Sequence, residues 1–205
     1  MSSDNNFRRQ GILFVVSAPS GAGKSTLCDS LRQTPDFIYS ISCTTRKIRP
    51  GEVHGEDYYF LSREEFEAKV KANEMLEYAE VHGYYYGTLA ESVLKALNQG
   101  TDVLLDIDVQ GARAIRTNVN QVLRDSLVDV FIMPPTIEEL ERRLRKRGTE
   151  KEAEIARRLE DARQEMPCWP EFKYTIITGS TEEDLTKFRA IMRAERYLSR
   201  RLTLV

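Results

Sequence analysis

The chain is poor in the residues that build metal centres and disulfide frameworks. It contains 2 histidines and 3 cysteines among 205 residues, and Cys28, Cys43 and Cys168 lie far apart. Scattered residues of these types do not form the paired motifs of structural zinc sites. Isolated cysteines are typical of reduced thiols in cytosolic proteins. We therefore expect a cytoplasmic protein without a zinc centre or a disulfide framework.

Long hydrophobic runs and an excess of one charge are also missing. The apolar run at residues 12–16 is far shorter than the roughly 18 residues that a membrane-spanning helix needs. The 30 basic and 32 acidic residues give a net charge of -2, whereas binding to a nucleic-acid backbone usually needs a strongly basic face. The sequence predicts no membrane and no nucleic-acid partner. It leaves the oligomeric state, monomer or homodimer, open.

What the chain does have is an alternation of apolar strands and helices near both ends. Short apolar segments are typical of strands buried on both faces of a parallel sheet, and they occur at residues 12–17, 103–107, 127–133 and 174–177. Helical patterns separate them, with Thr136 and Thr181 near two helix starts. Strands joined through helices predict a doubly wound α/β fold. The first 11 residues, which are polar, are expected to be frayed.

Residues 37–88 interrupt this alternation. The segment is rich in Tyr, Ser, Thr, Gly and charged residues, with strand-like pieces at 58–60 and 75–81. Between these pieces, residues 64–72 have a helical pattern that Ser62 is placed to cap. We interpret the segment as an inserted α+β subdomain.

A glycine-rich loop follows the first apolar strand and opens a helix. Its glycines at 21 and 23 let the loop turn so that backbone N–H groups point at phosphate oxygens, and the helix start adds partial positive charge. Lys24 can reach the β- and γ-phosphates, and the Ser25 hydroxyl can hold Mg²⁺. Ala18 departs from this P-loop pattern, which begins with Gly. The predicted ATP contacts are Ala18, Pro19, Ser20, Gly21, Ala22, Gly23, Lys24, Ser25 and Thr26.

An aspartate near the end of the second apolar strand is a candidate metal ligand. Asp106 lies at the carboxyl end of that strand, where ligands bind in parallel sheets. Its carboxylate could hold Mg²⁺ through water beside a P-loop. The alternative for Asp106, and for its neighbour Asp108, is a helix cap or an ordinary loop carboxylate.

A basic run occupies residues 142–147 and is followed by Arg157 and Arg158 on a further helix. Arg143 and Arg147 are four residues apart and so share a helical face. Guanidinium groups bind phosphate bidentately, and we therefore interpret this helical hairpin as a phosphate-binding element. A solvated helix face or a nucleic-acid patch are the alternatives for such a run.

These motifs together resemble the bacterial type of the guanylate kinase family. The resemblance rests on SAPSGAGKST at 17–26, SCTTR at 42–46, RPGE at 49–52, GEDY at 55–58, YYGT at 85–88, LDIDVQG at 105–111 and RGTE at 147–150. It implies an α/β fold of the P-loop NTPase type, with a parallel sheet flanked by helices. The core would comprise residues 1–36, 89–138 and 164–205. Residues 37–88 would form an inserted α+β GMP-binding subdomain, and residues 139–163 a helical lid.

The resemblance also implies a reaction and its residues. The γ-phosphoryl group of Mg-ATP would pass to GMP, and to dGMP as well, in purine nucleotide metabolism and GMP recycling. Thr178 stands where many members have an asparagine that touches the donor base, which leaves the adenine contact open. The implied catalytic residues are Lys24, Arg143, Arg147 and Arg158. The implied GMP contacts are Ser42, Arg46, Arg49, Tyr58, Glu77, Tyr86, Thr88 and Asp108, and the Mg²⁺ ligands are Ser25 and Asp106.

Reasoning from the residues alone favours a phosphorylated acceptor. Arg46 and Arg49 lie in the inserted segment, away from the P-loop, and no catalytic-base motif accompanies them. A phosphomonoester, with a second pKa near ~6, is already a dianion at neutral pH and needs no base. Two alternatives remain: a P-loop kinase for another nucleotide or a small alcohol, and a related scaffold domain that binds a phosphopeptide without catalysis. Lys24, Ser25 and Asp106 favour the enzyme.

Overall fold

Three sheets organise the protein, which we describe from a computed structural model over residues 7–34, 36–81, 83–148 and 151–204. The side chain of Arg147 lies outside the described part. The strands are β1 (Phe7–Arg9), β2 (Leu13–Ser17), β3 (Ile38–Tyr39), β4 (Cys43–Thr44), β5 (Tyr59–Phe60), β6 (Met75–Val81), β7 (Tyr84–Leu89), β8 (Val103–Asp106), β9 (Leu127–Met133), β10 (Tyr174–Ile177) and β11 (Leu202–Leu204). The helices are α1 (Lys24–Arg32), α2 (Arg63–Lys71), α3 (Ala90–Asn98), α4 (Val109–Arg116), α5 (Gln121–Ser126), α6 (Ile137–Arg147), α7 (Glu152–Glu165) and α8 (Thr181–Arg196).

A five-stranded parallel sheet with the order β10-β9-β2-β8-β3 forms the centre. β2 is buried along its whole length, because its side chains alternate between two apolar layers. Phe14 packs in the layer that includes α1 and α8, whereas Leu13 packs in the layer that includes α3 and α4. The predicted parallel sheet flanked by helices is confirmed.

The start of the inserted segment needs a correction. Ile38 and Tyr39 pair with Val103 and Leu104 as the fifth strand of the parallel sheet, so residue 37 is too early as its boundary. A two-residue edge strand carries too little pattern to be assigned from the sequence.

A separate four-stranded sheet with the order β5-β4-β7-β6 follows. β6 and β7 form an antiparallel hairpin, and β4 pairs with β7 on one side and β5 on the other. α2 begins at a reciprocal cap between Ser62 and Glu65, as the sequence predicts. Phe66 of α2 is buried and its ring stacks on that of Tyr85. This sheet with its one helix is the α+β element of the inserted segment.

Helices α6 and α7 pack on one another through a small apolar cluster of their own. The cluster consists of Leu140, Leu144, Ile155, Leu159 and Ala162. Gly148 ends α6 in the left-handed conformation, at φ 64°. The two helices together extend from 137 to 165, two residues beyond each end of the predicted lid.

The amino-terminal end of the described chain is ordered by the carboxyl-terminal end. β1 pairs with β11, and Arg9 donates to Asp102 at 2.6 Å. The expectation of fraying is therefore wrong for residues 7–11, because a long-range partner holds them. Over the described ranges, no helix combines the length and apolar character needed to cross a membrane.

Candidate active site

The loop between β2 and α1 has the backbone conformation of a phosphate-binding loop. Gly21 and Gly23 have φ values of 88° and 101°, and Gly23 caps α1 in the left-handed region. A side chain at Gly21 would also collide with Leu144, whose Cδ2 would lie 2.6 Å from the added Cβ. Among the described non-glycine residues, only Asn73 has a positive φ. Ala18 therefore replaces the usual glycine without a backbone penalty.

Lys24 and Asp106 form an ion pair across the mouth of this loop. Lys24 Nζ lies 2.5 Å from Asp106 Oδ1 and donates to the carbonyl of Ile107 at 3.1 Å. Burial opposes the charge on Lys24, but the charge of Asp106 and its hydrogen bond outweigh burial and raise the pKa of Lys24. The lysine is thus held as a cation beside the loop. Ser17 also donates to Ile107, at 2.9 Å, and joins the loop to the end of β8.

Ser25 and Asp106 offer oxygen ligands of the kind that Mg²⁺ prefers. Ser25 lies in the first turn of α1 and is exposed, and Asp106 ends β8 with a half-buried carboxylate. Among the residues the structure describes, no group of three or more His, Cys, Asp or Glu could hold a metal. The pair nevertheless fits Mg²⁺, which is usually bound by one or two protein ligands together with substrate phosphates and water.

A second pocket lies between the four-stranded sheet and the end of β8. Its volume is about 160 Å³, and its lining includes Ser42, Tyr58, Glu77, Tyr86, Asp106 and Asp108. Glu77 of β6 pairs in register with Thr88 of β7, and the Thr88 hydroxyl donates to Glu77 Oε1 at 2.7 Å. Glu77 as a residue is 6% exposed. The pocket lining therefore includes five predicted GMP contacts, Ser42, Tyr58, Glu77, Tyr86 and Asp108, and Thr88 adjoins it through its hydrogen bond to Glu77.

The environment of Glu77 disfavours its negative charge. Burial raises its pKa, the hydrogen bond from Thr88 lowers it, and the nearby charge of Asp108 raises it again, to about 7. Gly111 leaves room for this carboxylate, since an added Cβ there would lie 2.7 Å from Glu77 Oε2. Asp108 also caps α4 by accepting from the Gly111 N–H at 2.8 Å. The helix-cap alternative is thus correct for Asp108, which nonetheless lines the pocket.

Arg46, Tyr58 and Tyr86 form a cluster at the same pocket. Arg46 is 8% exposed, and its guanidinium lies 5.5 Å from the centre of the Tyr58 ring. The hydrogen bonds to Glu52 have the largest effect on the pKa of Arg46 and raise it. Burial lowers this pKa, and a hydrogen bond with Tyr86 adds to the increase. Arg49 behaves differently: its side chain is exposed, and its backbone N–H donates to Glu52 at 2.8 Å.

Sequence reasoning did not identify Glu52 as the residue that orients Arg46. Arg46 donates to the two carboxylate oxygens of Glu52 at 3.0 and 2.7 Å. This hydrogen bonding holds the pKa of Glu52 below its usual range. The available signal was Glu52 at the end of the RPGE motif, six residues after Arg46.

The lid arginines are divided between two places. Arg158 of α7 donates to the hydroxyl of Ser20 in the phosphate loop at 3.3 Å. Arg143 of α6 donates to Thr178 and Glu139, each at 2.8 Å. Arg147, the third predicted arginine, has its side chain outside the described part. The structure thus places one predicted arginine on the loop and another beside β10.

A larger cavity of about 560 Å³ extends from the phosphate loop to α6 and the start of α8. Its lining includes Gly21, Gly23, Thr26, Arg142, Arg143, Lys146, Gly179 and Thr181. Because the cavity begins at the loop and the start of α1, it is placed to receive whatever is attached to phosphates held there. The sequence did not indicate that Arg143 would line it.

Comparisons with known proteins agree on one family. The family profile described as guanylate kinase matches residues 10–195. The chain is 46% identical over 190 residues to a guanylate kinase of Escherichia coli (strain K12), covering 91% of this chain and 89% of that one. It is 41% identical over 187 residues to one of Clostridium tetani, covering 91% and 88%. The crystal structure of guanylate kinase from Anaplasma phagocytophilum superposes with a TM-score of 0.79 at 33% identity, over 97% of this chain and 93% of that one.

Proposed function

This chain belongs to the guanylate kinase family and is a nucleoside monophosphate kinase that transfers a phosphoryl group from ATP to GMP, and from that premise we propose how its residues divide the work. Two sites are needed, one for each nucleotide. The phosphate loop with its cavity of about 560 Å³ is the donor site. The pocket around Glu77 is the acceptor site.

At the donor site, the loop N–H groups and Lys24 bind the phosphates of ATP. Lys24 is already held as a cation by Asp106, so its charge is present before the nucleotide arrives. Preorganised charge aimed at a transferring phosphoryl group stabilises the transition state without a reorganisation cost. The role of Lys24 is therefore electrostatic stabilisation and positioning of the phosphates.

Ser25 and Asp106 would hold Mg²⁺ together with these phosphates. When bound, the metal neutralises charge on the phosphate oxygens. Asp106 would then have two cationic neighbours, the metal and Lys24. The ion pair in the structure shows that its carboxylate already lies within reach of the loop.

At the acceptor site, Glu77 distinguishes guanine from adenine. Guanine presents two adjacent donors, N1–H and the 2-amino group, and an ionised carboxylate accepts both. Adenine has an acceptor at N1 and no 2-amino group, so it would offer the buried carboxylate no donor, and Thr88 would remain its only described side-chain donor. Sites of this kind reject the wrong ligand by about 10⁴–10⁵. Thr88 holds the carboxylate in place through its 2.7 Å hydrogen bond.

The acceptor phosphate is held by Arg46, Tyr58 and Tyr86, with Arg49 reaching it from the exposed turn. Glu52 and the carbonyl of Lys47 accept three hydrogen bonds from the guanidinium of Arg46, and an Arg has five N–H donors in all. Because the phosphomonoester is a dianion, no residue has to remove a proton from the attacking oxygen. Positioning and charge stabilisation are then sufficient for catalysis.

The three structural parts carry three roles. The parallel sheet and its helices bind the donor, the four-stranded sheet binds the acceptor, and the α6–α7 hairpin supplies Arg143, Arg147 and Arg158 as the lid. Closure of this hairpin over the bound nucleotides would complete the arginine set around the transferring group and exclude water. The contact between Arg158 and Ser20 supports this arrangement, since it already joins α7 to the loop.

The observation that carries the assignment is the buried Glu77–Thr88 pair in a pocket that also contains Asp106. A direct test is ADP release measured with Mg-ATP and each of GMP, dGMP, AMP, CMP and UMP. We expect strong release with GMP and dGMP only. Turnover of another acceptor without turnover of GMP would overturn the assignment, and ATP binding without any turnover would favour a scaffold role.

A further inference from the structure

Thr178 stands at a position that connects β10 to the donor cavity. It follows the last residue of β10, and its backbone N–H donates to the carbonyl of Met133 at 2.9 Å. Its side chain is 5% exposed. The next residue, Gly179, lines the cavity. The hydroxyl is therefore fixed at the edge of the donor site by the sheet itself.

Arg143 is held by two hydrogen bonds whose acceptors belong to different elements. Its Nε donates to Glu139 Oε1 one turn earlier on α6, and its Nη1 donates to the Thr178 hydroxyl, each at 2.8 Å. Hydrogen bonds from Arg142, which have the larger effect, and from Arg143 lower the pKa of Glu139 to about 2. Glu139 is thus an anion at neutral pH. One anchor of Arg143 is on its own helix, and the other belongs to the core.

The two hydrogen bonds leave ligand-binding capacity on the guanidinium. They use two of the five N–H groups that an arginine carries. Arg143 also lines the donor cavity that begins at the phosphate loop. An arginine that is ordered before it meets an anion loses less conformational entropy on binding, because its rotamers are already restricted.

We propose that Thr178 is a positioning residue for Arg143, acting in the phosphoryl transfer assigned above. Its hydroxyl fixes the guanidinium at the wall of the donor cavity, with the remaining N–H groups available to the donor nucleotide. The contribution of Thr178 to catalysis then passes through Arg143 and requires the hydroxyl. It also couples the lid helix to the end of β10, two elements from different parts of the fold.

The test is a double-mutant cycle between Thr178→Val and Arg143→Met, assayed with Mg-ATP and GMP. Thr178→Val keeps the side-chain shape and removes the hydroxyl. A hydrogen bond to a charged group accounts for roughly a ten- to hundredfold effect, so kcat should fall by that factor while KM for GMP stays unchanged. In the Arg143→Met background, the same change should alter kcat by less than about twofold. Thr178→Ser, which keeps the hydroxyl, should restore nearly wild-type kcat.

Independent losses in the two variants would overturn the proposal, as would wild-type kcat in Thr178→Val. If that variant does not fold, Thr178→Ala paired with Thr178→Ser gives the same comparison, with thermal unfolding as the check on folding.

A second readout does not depend on turnover. Rotation of the Arg143 guanidinium, measured by arginine side-chain NMR in the nucleotide-free protein, should be slow in wild type and Thr178→Ser and fast in Thr178→Val. Equal rotation rates in wild type and Thr178→Val would contradict the anchoring itself. Slow rotation in a protein without GMP-dependent ADP release would instead count against the proposed function.

Discussion

The donor and acceptor sites are constructed in different ways. The proposed donor site is one contiguous loop that offers mainly backbone N–H groups to phosphate, with Lys24 and Ser25 directly beside them. The acceptor pocket takes residues from β6, β7 and the end of β8, together with Ser42 and Tyr58, which lie just before β4 and β5. Sequence neighbours therefore suffice for phosphate binding, whereas recognition of a base requires several strands to converge.

The two sites also differ in how their charged groups are stabilised. At the donor loop, the carboxylate of Asp106 raises the pKa of Lys24 and keeps its charge. At the acceptor pocket, the groups that shift the pKa of Glu77 do not include a cation. Burial is the largest effect, and the pKa is raised to about 7. A paired charge is available at every physiological pH, whereas a buried carboxyl group titrates in that range. The acceptor site should consequently be the more selective and the more sensitive to pH.

The largest expected effect belongs to the donor loop. Lys24→Met keeps the length of the side chain and removes the charge aimed at the phosphates. Loss of a preorganised charge of this kind costs about 10³ or more in rate, so kcat in the ADP-release assay should fall by that factor. Lys95→Met, on the exposed face of α3, is the matched control and should leave kcat unchanged. A Lys24→Met enzyme within tenfold of wild type would remove Lys24 from the catalytic residues.

The next largest effect is expected from a variant that tests recognition of the guanine base. Glu77→Gln replaces an acceptor-only carboxylate by an amide that presents a donor, so kcat/KM for GMP should fall by about 10²–10³. The value for AMP should change little, and the ratio between the two acceptors should shrink. ATP affinity, measured by calorimetry, should be retained. Glu64→Gln at an exposed position of α2 is the control, and unchanged discrimination in Glu77→Gln would place the guanine contact elsewhere.

A third prediction concerns pH. Guanine binding needs Glu77 ionised, but with a pKa of about 7 the free carboxyl is protonated at lower pH. Affinity should therefore weaken about tenfold per pH unit below 7 and level off above 8. Guanosine is the ligand to use, since it has no titrating phosphate. The same raised pKa gives the folded protein stability at low pH that is lost as pH rises from about 4.5 through 7.

Two variants separate Glu77 from other groups in this pH test. Glu77→Gln should show affinity that does not change between pH 6 and 8. Glu165 is the necessary comparison, because burial raises its pKa to about 7 as well, and Glu165→Gln should keep the wild-type profile. A flat profile in the wild type would show that Glu77 is ionised throughout this range.

The smallest effect is expected at Thr88. Thr88→Val removes the 2.7 Å hydrogen bond that lowers the pKa of Glu77 and orients its carboxylate. Because a carboxyl group with a pKa of about 7 is only partly ionised at pH 7, we expect this bond to contribute about 1 kcal/mol, less than a bond to a full charge. KM for GMP at pH 7 should therefore rise about five- to tenfold. Thr88→Ser keeps the hydroxyl and should lie within about twofold of wild type. Equal KM values in Thr88→Val and Thr88→Ser would make the hydrogen bond irrelevant to acceptor binding.

Much of the fold could be predicted because its central strands are locally distinctive. The strands at 127–133 and 174–177 coincide with β9 and β10, since short, largely apolar and β-branched runs favour buried strands. β3, β1 and β11 could not be predicted in the same way. Each has only two or three residues and exists because a distant strand pairs with it.

The candidate site likewise has one part that could be predicted from the sequence and another that could not. The sequence by itself determined the phosphate loop, because Gly21, Gly23 and Lys24 act through local backbone geometry and a helix start. Only the tertiary structure decided that Glu52 orients Arg46, that burial raises the pKa of Glu77, and that Thr178 holds Arg143. These contacts join residues up to 35 positions apart, and burial depends on every element that covers a group. A sequence states which side chains exist, whereas their neighbours and solvent exposure follow from the packing of the whole chain.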